Sequence, residues 1–296
     1  MSTSLSAIAR TVTVLGRGRV GRSLAGALHA AGRPAHLEPA RGWRTSRGQG
    51  RAGTALRGLV FLAVPDQALE PLAREIAVDL PEAVAAFVHL SGALELEVLA
   101  PLAERGCAVG SFHPLQPFPV ERPPEAFRGS LVAVDASEPG LREELEGLAR
   151  LVGARPLPAV RGRRALYHAG AAMAANLTVA LAAQSQSVFE AVGWGEPEAR
   201  AAVLSLMRGA LETVAEVGLP AGLSGPIRRG EVDTVARHLA ALETVPGSDA
   251  VRPVDVYRIL GLAALDLAAA GGLEAAAASR LTALLAGQGR GEGAKP

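Results

Sequence analysis

The sequence predicts an α/β protein, a Rossmann-type parallel-sheet domain followed by an all-α helical domain. Three observations carry this expectation. The first half alternates short apolar runs with helical patterns, as a parallel sheet with crossover helices requires. A glycine string, Gly16, Gly18 and Gly21, sits between one such run and one such helix. From residue 164 onward the pattern is helical, with no convincing strand.

Taken in order, TVTVL (11–15) is a strand and GRSLAGALHAAG (21–32) a helix closed by Gly32. PAHLE (34–38) is a second strand. LVFLAVP (59–65) is a fully apolar run stopped by Pro65, as expected of a central parallel strand. LEPLAREIAVDL (69–80) is amphipathic, AAFVHLSG (85–92) a strand and LELEVLAPLAERG (94–106) a helix. AVGSFHP (108–114) and SLVAVDA (130–136) are two more strands, and LREELEGLARLVG (141–153) the last helix of this half. ARPLPAVRGR (154–163), with two prolines and a glycine, reads as the connection between domains. A long helix over about 164–192 follows, then EPEARAAVLSLMRGALETVAEVG, a loop LPAGLSGPIRRGE, and three helices starting near 231, 253 and 273. The expected domains are 1–158 for the dinucleotide, 159–286 for substrate and dimerisation, and a disordered tail 287–296.

Composition narrows the function classes. The chain has 296 residues, enough for two domains, and 49% apolar residues, enough for sizeable cores. Basic and acidic residues number 30 and 29, so no field gathers nucleic acid or an anionic membrane. The single cysteine, Cys107, excludes a disulfide within the chain, and the six histidines show no metal-ligand spacing. MSTSLSAIAR lacks the features of a signal peptide. The most apolar window (165–183) contains His168 and Asn176 and reads as a buried helix of a soluble protein. The expectation is a cytoplasmic protein with no nucleic-acid or membrane partner.

The glycine string gains its meaning from context. It follows a β-branched run and opens a helix, so each glycine has work to do in a turn, in backbone approach to a pyrophosphate and in helix-to-strand packing. The helix amino end adds free N–H groups and a positive dipole. The expected cradle is Gly16, Arg17, Gly18, Arg19, Val20 and Gly21. Glu38 stands where an acid would hydrogen-bond the ribose hydroxyls of NAD. Against it, the loop ARGWRTSRGQGR offers Arg41, Arg44, Ser46, Arg47 and Arg51, and guanidinium groups suit a 2′-phosphate. NADP is therefore expected ahead of NAD, although arginine is also this chain's general surface cation.

At this point a family resemblance enters. LGRGRVGRSLAGAL, LVFLAVPDQAL, VHLSGALELEVLAPL, VGSFHPLQPF, ALYHAGAAMAANLTVAL and LSGPIRRGEVDTVARHLAAL run in order over about residues 10–265. Together they resemble the Rossmann-like oxidoreductases that carry the domain of unknown function 2520. Wider relatives are pyrroline-5-carboxylate reductase, deazaflavin-dependent NADP reductase, ketopantoate reductase and the β-hydroxyacid dehydrogenases. The resemblance implies an amino-terminal NADP-binding domain, a helical carboxy-terminal domain and a homodimer through that domain. It does not fix the substrate; a small carboxylate with a carbonyl, ketopantoate foremost, leads, and a cyclic imine is the rival. A protein that binds NADP without catalysis is the third reading.

Ligands of an open parallel sheet bind beyond the carboxyl ends of its strands. Ala63, Val64, Pro65 and Asp66 lie there and would line the cofactor path, unless they form a plain turn. Ser91 and Gly92 follow, and the resemblance implies a contact with substrate carboxylate and carbonyl; Ser91 capping the next helix is the alternative. His113 ends a strand and could donate a proton or orient a substrate oxygen, with Gln116 nearby. Arg164, His168 and Asn176 share an arc of a helix at 100° per residue. In the wider dehydrogenase group a lysine on this helix is the proton donor. Here Arg163 or Arg164 matches it, and arginine is a carboxylate clamp rather than an acid. The acid role passes to His113, His168, Tyr167 or a bound water. Arg228 and Arg229 in SGPIRRGE could reach an acidic substrate or simply be solvated.

Overall fold

The computed structural model describes residues 11–40, 56–248 and 251–287. Clustering of the chain gives two compact units, one ending at Asn176 and one beginning at Leu177.

The first unit runs β1 (Val12–Leu15), α1 (Arg19–Ala30), β2 (Ala35–Glu38), β3 (Gly58–Leu62), α2 (Asp66–Val78) and β4 (Val84–His89). After a 3-10 turn at Leu96–Leu99 come α3 (Ala100–Ala103) and β5 (Ala108–Pro114). β6 (Leu131–Ala136), α4 (Pro139–Leu151), β7 (Arg155–Pro158) and α5 (Arg164–Ala172) complete it. The strands form one sheet in the order β2-β1-β3-β4-β5-β6-β7. Strand order reverses direction between β1 and β3, which opens a crevice at their carboxyl ends.

The apolar runs of β1, β3 and β4 are buried on both faces, and the pleat divides them between two cores. Val14, Phe61 and Val88 face one side with Leu24 and Leu28 of α1. Leu15, Val60, Leu62 and Phe87 face the other with Leu69 and Ile76 of α2. Phe61 meets Phe112 of β5 edge-on, ring centroids 5.6 Å apart.

Two features differ from the expected sheet. β6 runs antiparallel to β5, with Gly110 opposite Ala136. A parallel return needs a crossover, usually a helix. The β5–β6 connection instead carries Pro117, Pro119, Pro123 and Pro124 and holds only a 3-10 turn at Pro124–Phe127. The stretch expected to be a plain connection contains β7, which pairs in parallel with β6. Its prolines, Pro156 and Pro158, are tolerated because β7 is an edge strand. Arg155 and Ala159 donate their N–H groups to Ser130 and Val134. The division after Asn176 also falls beyond residue 158, because α5 is bonded to the strands of the first unit.

The second unit contains α6 (Thr178–Ala191), α7 (Glu196–Val217), α8 (Val232–Leu242), α9 (Pro253–Ala270) and α10 (Ala275–Leu285). Val235, Leu239, Val254, Leu265, Leu281 and Leu285 join the last three in a core. α6 buries no residue, and on α7 only Ala199 and Val203 are buried. The apolar window 165–183, expected to be buried, is thus exposed: Leu166 and Val179 are each 70% accessible. The core of α8, α9 and α10 closes on itself and leaves the apolar faces of α6 and α7 uncovered. A cavity of about 620 Å³ lies among α6, α7, α8 and α9, lined by Leu181, Val188, Met207 and Leu260. The helical stretch Arg164–Ala191 is long and apolar enough to cross a membrane by length and composition.

Replacing Phe61 with Ala removes the ring shared by β3 and β5, and unfolding free energy should fall by about 3–5 kcal/mol. Urea denaturation followed by circular dichroism measures this.

Candidate active site

The glycine loop joins the end of β1 to α1 at the reversal of strand order. Gly16 N–H donates to Glu38 O at 2.8 Å, and Ala63 N–H to Leu15 O at 2.8 Å, which ties the loop to the ends of β2 and β3. Gly16 has φ +130, and a Cβ there would lie 2.2 Å from Ala63 O. A Cβ on Gly21 would lie 2.1 Å from Gly16 O. Both glycines therefore serve protein packing. Gly18 differs: nothing lies within 4 Å of its missing Cβ. It is also the N-cap of α1, where no side chain caps the helix and no acid occupies the first turn. An uncapped helix terminus beside open space, with exposed Arg17, Arg19 and Arg22 around it, fits the pyrophosphate of a dinucleotide. Val20 is half-buried behind it. Of the strand end after β3, Ala63 packs directly against Gly16 and Gly21, Val64 lies against the second core, and Pro65 is the N-cap of α2. Arg41 and Arg44, with Ser46, Arg47 and Arg51, lie outside the described residues.

A second cluster forms where β4 and β5 end. His113 Nδ1 lies 2.7 Å from the Tyr167 hydroxyl, and its ring meets that of His168 edge-on at 5.7 Å. Gly92 makes this approach possible: a Cβ there would sit 2.6 Å from His113 Cε1 and from His168 Nδ1. Ser91 does cap the following turn, its Oγ accepting the N–H groups of Ala93 and Leu94 at 3.1 Å. Its own O–H remains a donor. Gln116 Nε2 is buried without a hydrogen-bond partner among the described residues.

Arg164 holds this cluster together. It is 1% exposed and donates to Ser111 Oγ and, at 3.5 Å, to Ser91 O. Its Nε lies 3.6 Å from Glu95 Oε2, and its backbone N–H donates to Glu95 Oε1 at 3.1 Å. A second anchor precedes it: Arg161 binds both carboxylate oxygens of the buried Asp135, which also receives Arg142. The start of α5 is therefore fixed at two points, and Tyr167 and His168 follow one turn later.

These contacts bear on two expectations. Arg164 is not open to an incoming carboxylate, because burial and its protein partners occupy it. Asn176 lies in a π-helical turn, Met173–Leu177, where the 100° per residue behind its expected phase does not hold. Asn176 is exposed.

Electrostatics make the cluster neutral. Burial, then His168 and Arg164, lower the His113 pKa from 6.5 to about 4. His113 is therefore an uncharged imidazole at neutral pH, not an imidazolium acid. Burial raises the Tyr167 pKa to about 12, so the phenol keeps its proton. His89, at the end of β4, is fully buried with neither ring nitrogen bonded, and burial and then Arg164 lower its pKa to about 3. Sequence reasoning passed over His89, Glu95 and Ser111. A histidine inside the apolar run AAFVHL was the available signal for the first; Glu95 and Ser111 had none beyond ordinary strand-end polarity.

With this geometry established, known proteins supply context. A family model described as a domain of unknown function (DUF2520) matches residues 130–264, and a Rossmann-like domain model matches residues 45–114. The glycine loop lies ahead of both matched stretches, so its reading rests on its own geometry. The chain is similar in fold to a Thermotoga maritima protein at 21% identity and TM-score 0.66, covering 87% of this chain and 99% of that one. A Bacteroides fragilis protein provisionally assigned as an NADP oxidoreductase matches at 18% and 0.67, covering 89% and 100%. A Streptomyces aurantiacus imine reductase matches at 16% and 0.58, covering 92% and 99%. No curated protein matches the chain in sequence. At these identities the likenesses establish the fold.

The lowered histidines set a pH dependence. Between about pH 6.5 and about pH 4 the unfolded chain binds a proton at residue 113 that the folded chain refuses. The contribution is complete above the unfolded value and is lost as pH falls toward the folded one. Urea midpoints at pH 7.5, 5.5 and 4.5 should decline, and His113→Gln should flatten part of that decline.

Proposed function

We propose that the chain is an NADP-dependent oxidoreductase that reduces a carbonyl carbon of a small carboxylate substrate. One observation carries this reading: an open, uncapped dinucleotide cradle and a neutral proton-donating pair stand at the carboxyl ends of adjacent strands of one sheet. Fold likeness to a protein provisionally assigned as an NADP oxidoreductase supports it.

The nicotinamide of a bound cofactor supplies the hydride. The protein's part is binding, orientation and the proton. Gly18 with the start of α1 would hold the pyrophosphate, on a loop that Gly16 and Gly21 pack against the sheet. Ser91 O–H and the Gly92 backbone orient the substrate oxygen. Tyr167 donates its phenolic proton to that oxygen. For this, His113 carries its own proton on Nδ1 and donates to Tyr167 Oη, so that the phenol hydrogen points to substrate. The nearby Arg164 charge favours the phenolate left behind. His168, exposed beside the pair, is positioned to relay solvent protons back.

Reduction of an imine is a second reading, and one observation favours it. With Arg164 engaged by Glu95 and Ser111, the arginine of the cluster is closed to a substrate carboxylate. A panel of 2-keto acids and cyclic imines, assayed by NADPH consumption, separates the two. Tyr167→Phe should lower kcat about 10²- to 10⁴-fold while leaving NADPH affinity unchanged. Turnover at the parent rate in that variant rejects Tyr167 as donor. Tight NADPH binding with no consumption across the panel rejects catalysis and leaves a cofactor-binding protein.

The helical unit is proposed to pair with a second copy, as the resemblance implies, through the uncovered apolar faces of α6 and α7. Light scattering should give twice the chain mass. The double variant Val179→Glu, Leu206→Glu, on residues already accessible in the single chain, should give the chain mass. A cytoplasmic location follows from the same reading.

A further inference from the structure

The choice between NADP and NAD rests on the 2′-position of the adenosine ribose, which a Rossmann sheet presents at the end of its second strand. Glu38 ends β2 and favours a free ribose hydroxyl. The arginines expected to oppose it at 41 and 44 lie outside the described residues. A different arginine reaches this place. Arg17, between the first two glycines of the loop, is exposed, and its Nη2 lies 3.5 Å from the carbonyl of Leu37, the residue before Glu38. The backbone holds it there, because Gly16 N–H is bonded to Glu38 O. Arg22 reinforces the loop from behind, its Nε donating to Arg17 O at 2.9 Å.

On the reading that the loop holds NADP, we infer that Arg17 is the residue that recognises the ribose 2′-phosphate and so sets cofactor preference. Three features fit that role. The one hydrogen bond of its side chain among the described residues is a long one to a neutral carbonyl, which a phosphate dianion displaces with gain. The planar fork of a guanidinium matches two phosphate oxygens at once. Arg17 lies at the strand end that carries Glu38, so the 2′-phosphate finds a cation beside an acid that would otherwise repel it. Arg19 and Arg22, by contrast, sit on α1, and Arg22 is engaged by the loop backbone.

Equilibrium titrations of NADPH and NADH, followed by cofactor fluorescence, test this without any substrate. The parent should prefer NADPH. Arg17→Ala should weaken NADPH about tenfold more than it weakens NADH, the scale of one charged hydrogen-bonding contact to the 2′-phosphate. Arg17→Lys should recover part of the NADPH affinity. Competition by 2′,5′-ADP should fall in parallel, and competition by 5′-AMP should not. Equal weakening of both cofactors makes Arg17 a general loop residue and overturns the assignment. Unchanged affinities, or a parent that prefers NADH, overturn it as well, while leaving the dinucleotide reading in place. A parent that binds neither cofactor removes both.

Discussion

The buried guanidinium of Arg164 is the constraint on which the site depends. It enters an interior formed by the ends of β4 and β5, donates to Ser111 and the carbonyl of Ser91 and pairs with the Glu95 carboxylate at longer range, its Nε making no hydrogen bond among the described residues. A buried ion pair adds little net stability, because desolvation offsets most of the attraction. What it contributes is position. Every alternative placement of α5 leaves a charge unpaired in a dry interior, so the helix has one low-energy register on the sheet. That register delivers Tyr167 to His113.

The same charge governs the chemistry. A fixed cation close to three imidazole or phenol groups disfavours further positive charge and favours a developing negative one. His89 and His113 are held neutral partly by Arg164, while Tyr167 keeps its proton through burial and is eased toward phenolate by that cation. A histidine at a strand end suggested an acid. The fold instead holds that histidine neutral and hydrogen-bonded to a phenol that keeps its proton. The orphaned ring nitrogens of His89 lie beneath this arrangement, buried in an apolar strand, and keep the interior free of a second charge.

The two glycine-dependent sites differ in how readable they were. Gly16, Gly18 and Gly21 follow a local rule of strand, tight turn and helix, so spacing and context sufficed to place the loop. Gly92 follows no local rule. Its need for a missing side chain comes from two histidines that arrive from residues 113 and 168, and no window of sequence contains all three. The sheet shows the same division. The apolar runs were visible because periodicity is local, whereas the reversed β6 and the proline-bearing β7 depend on which edge of the sheet remained open.

The sequence by itself determined the α/β class, the order of the first six strands, the glycine loop and the helical second half, because backbone preference and hydrophobic period act over a few residues. The tertiary structure decided the rest. It decided that Arg164 is an anchor and not a clamp, that His113 is neutral, that the helix carrying Asn176 makes a π turn there and that the apolar α6 stands uncovered. Each depends on desolvation or on helix phase, and both are properties of what surrounds a residue after folding.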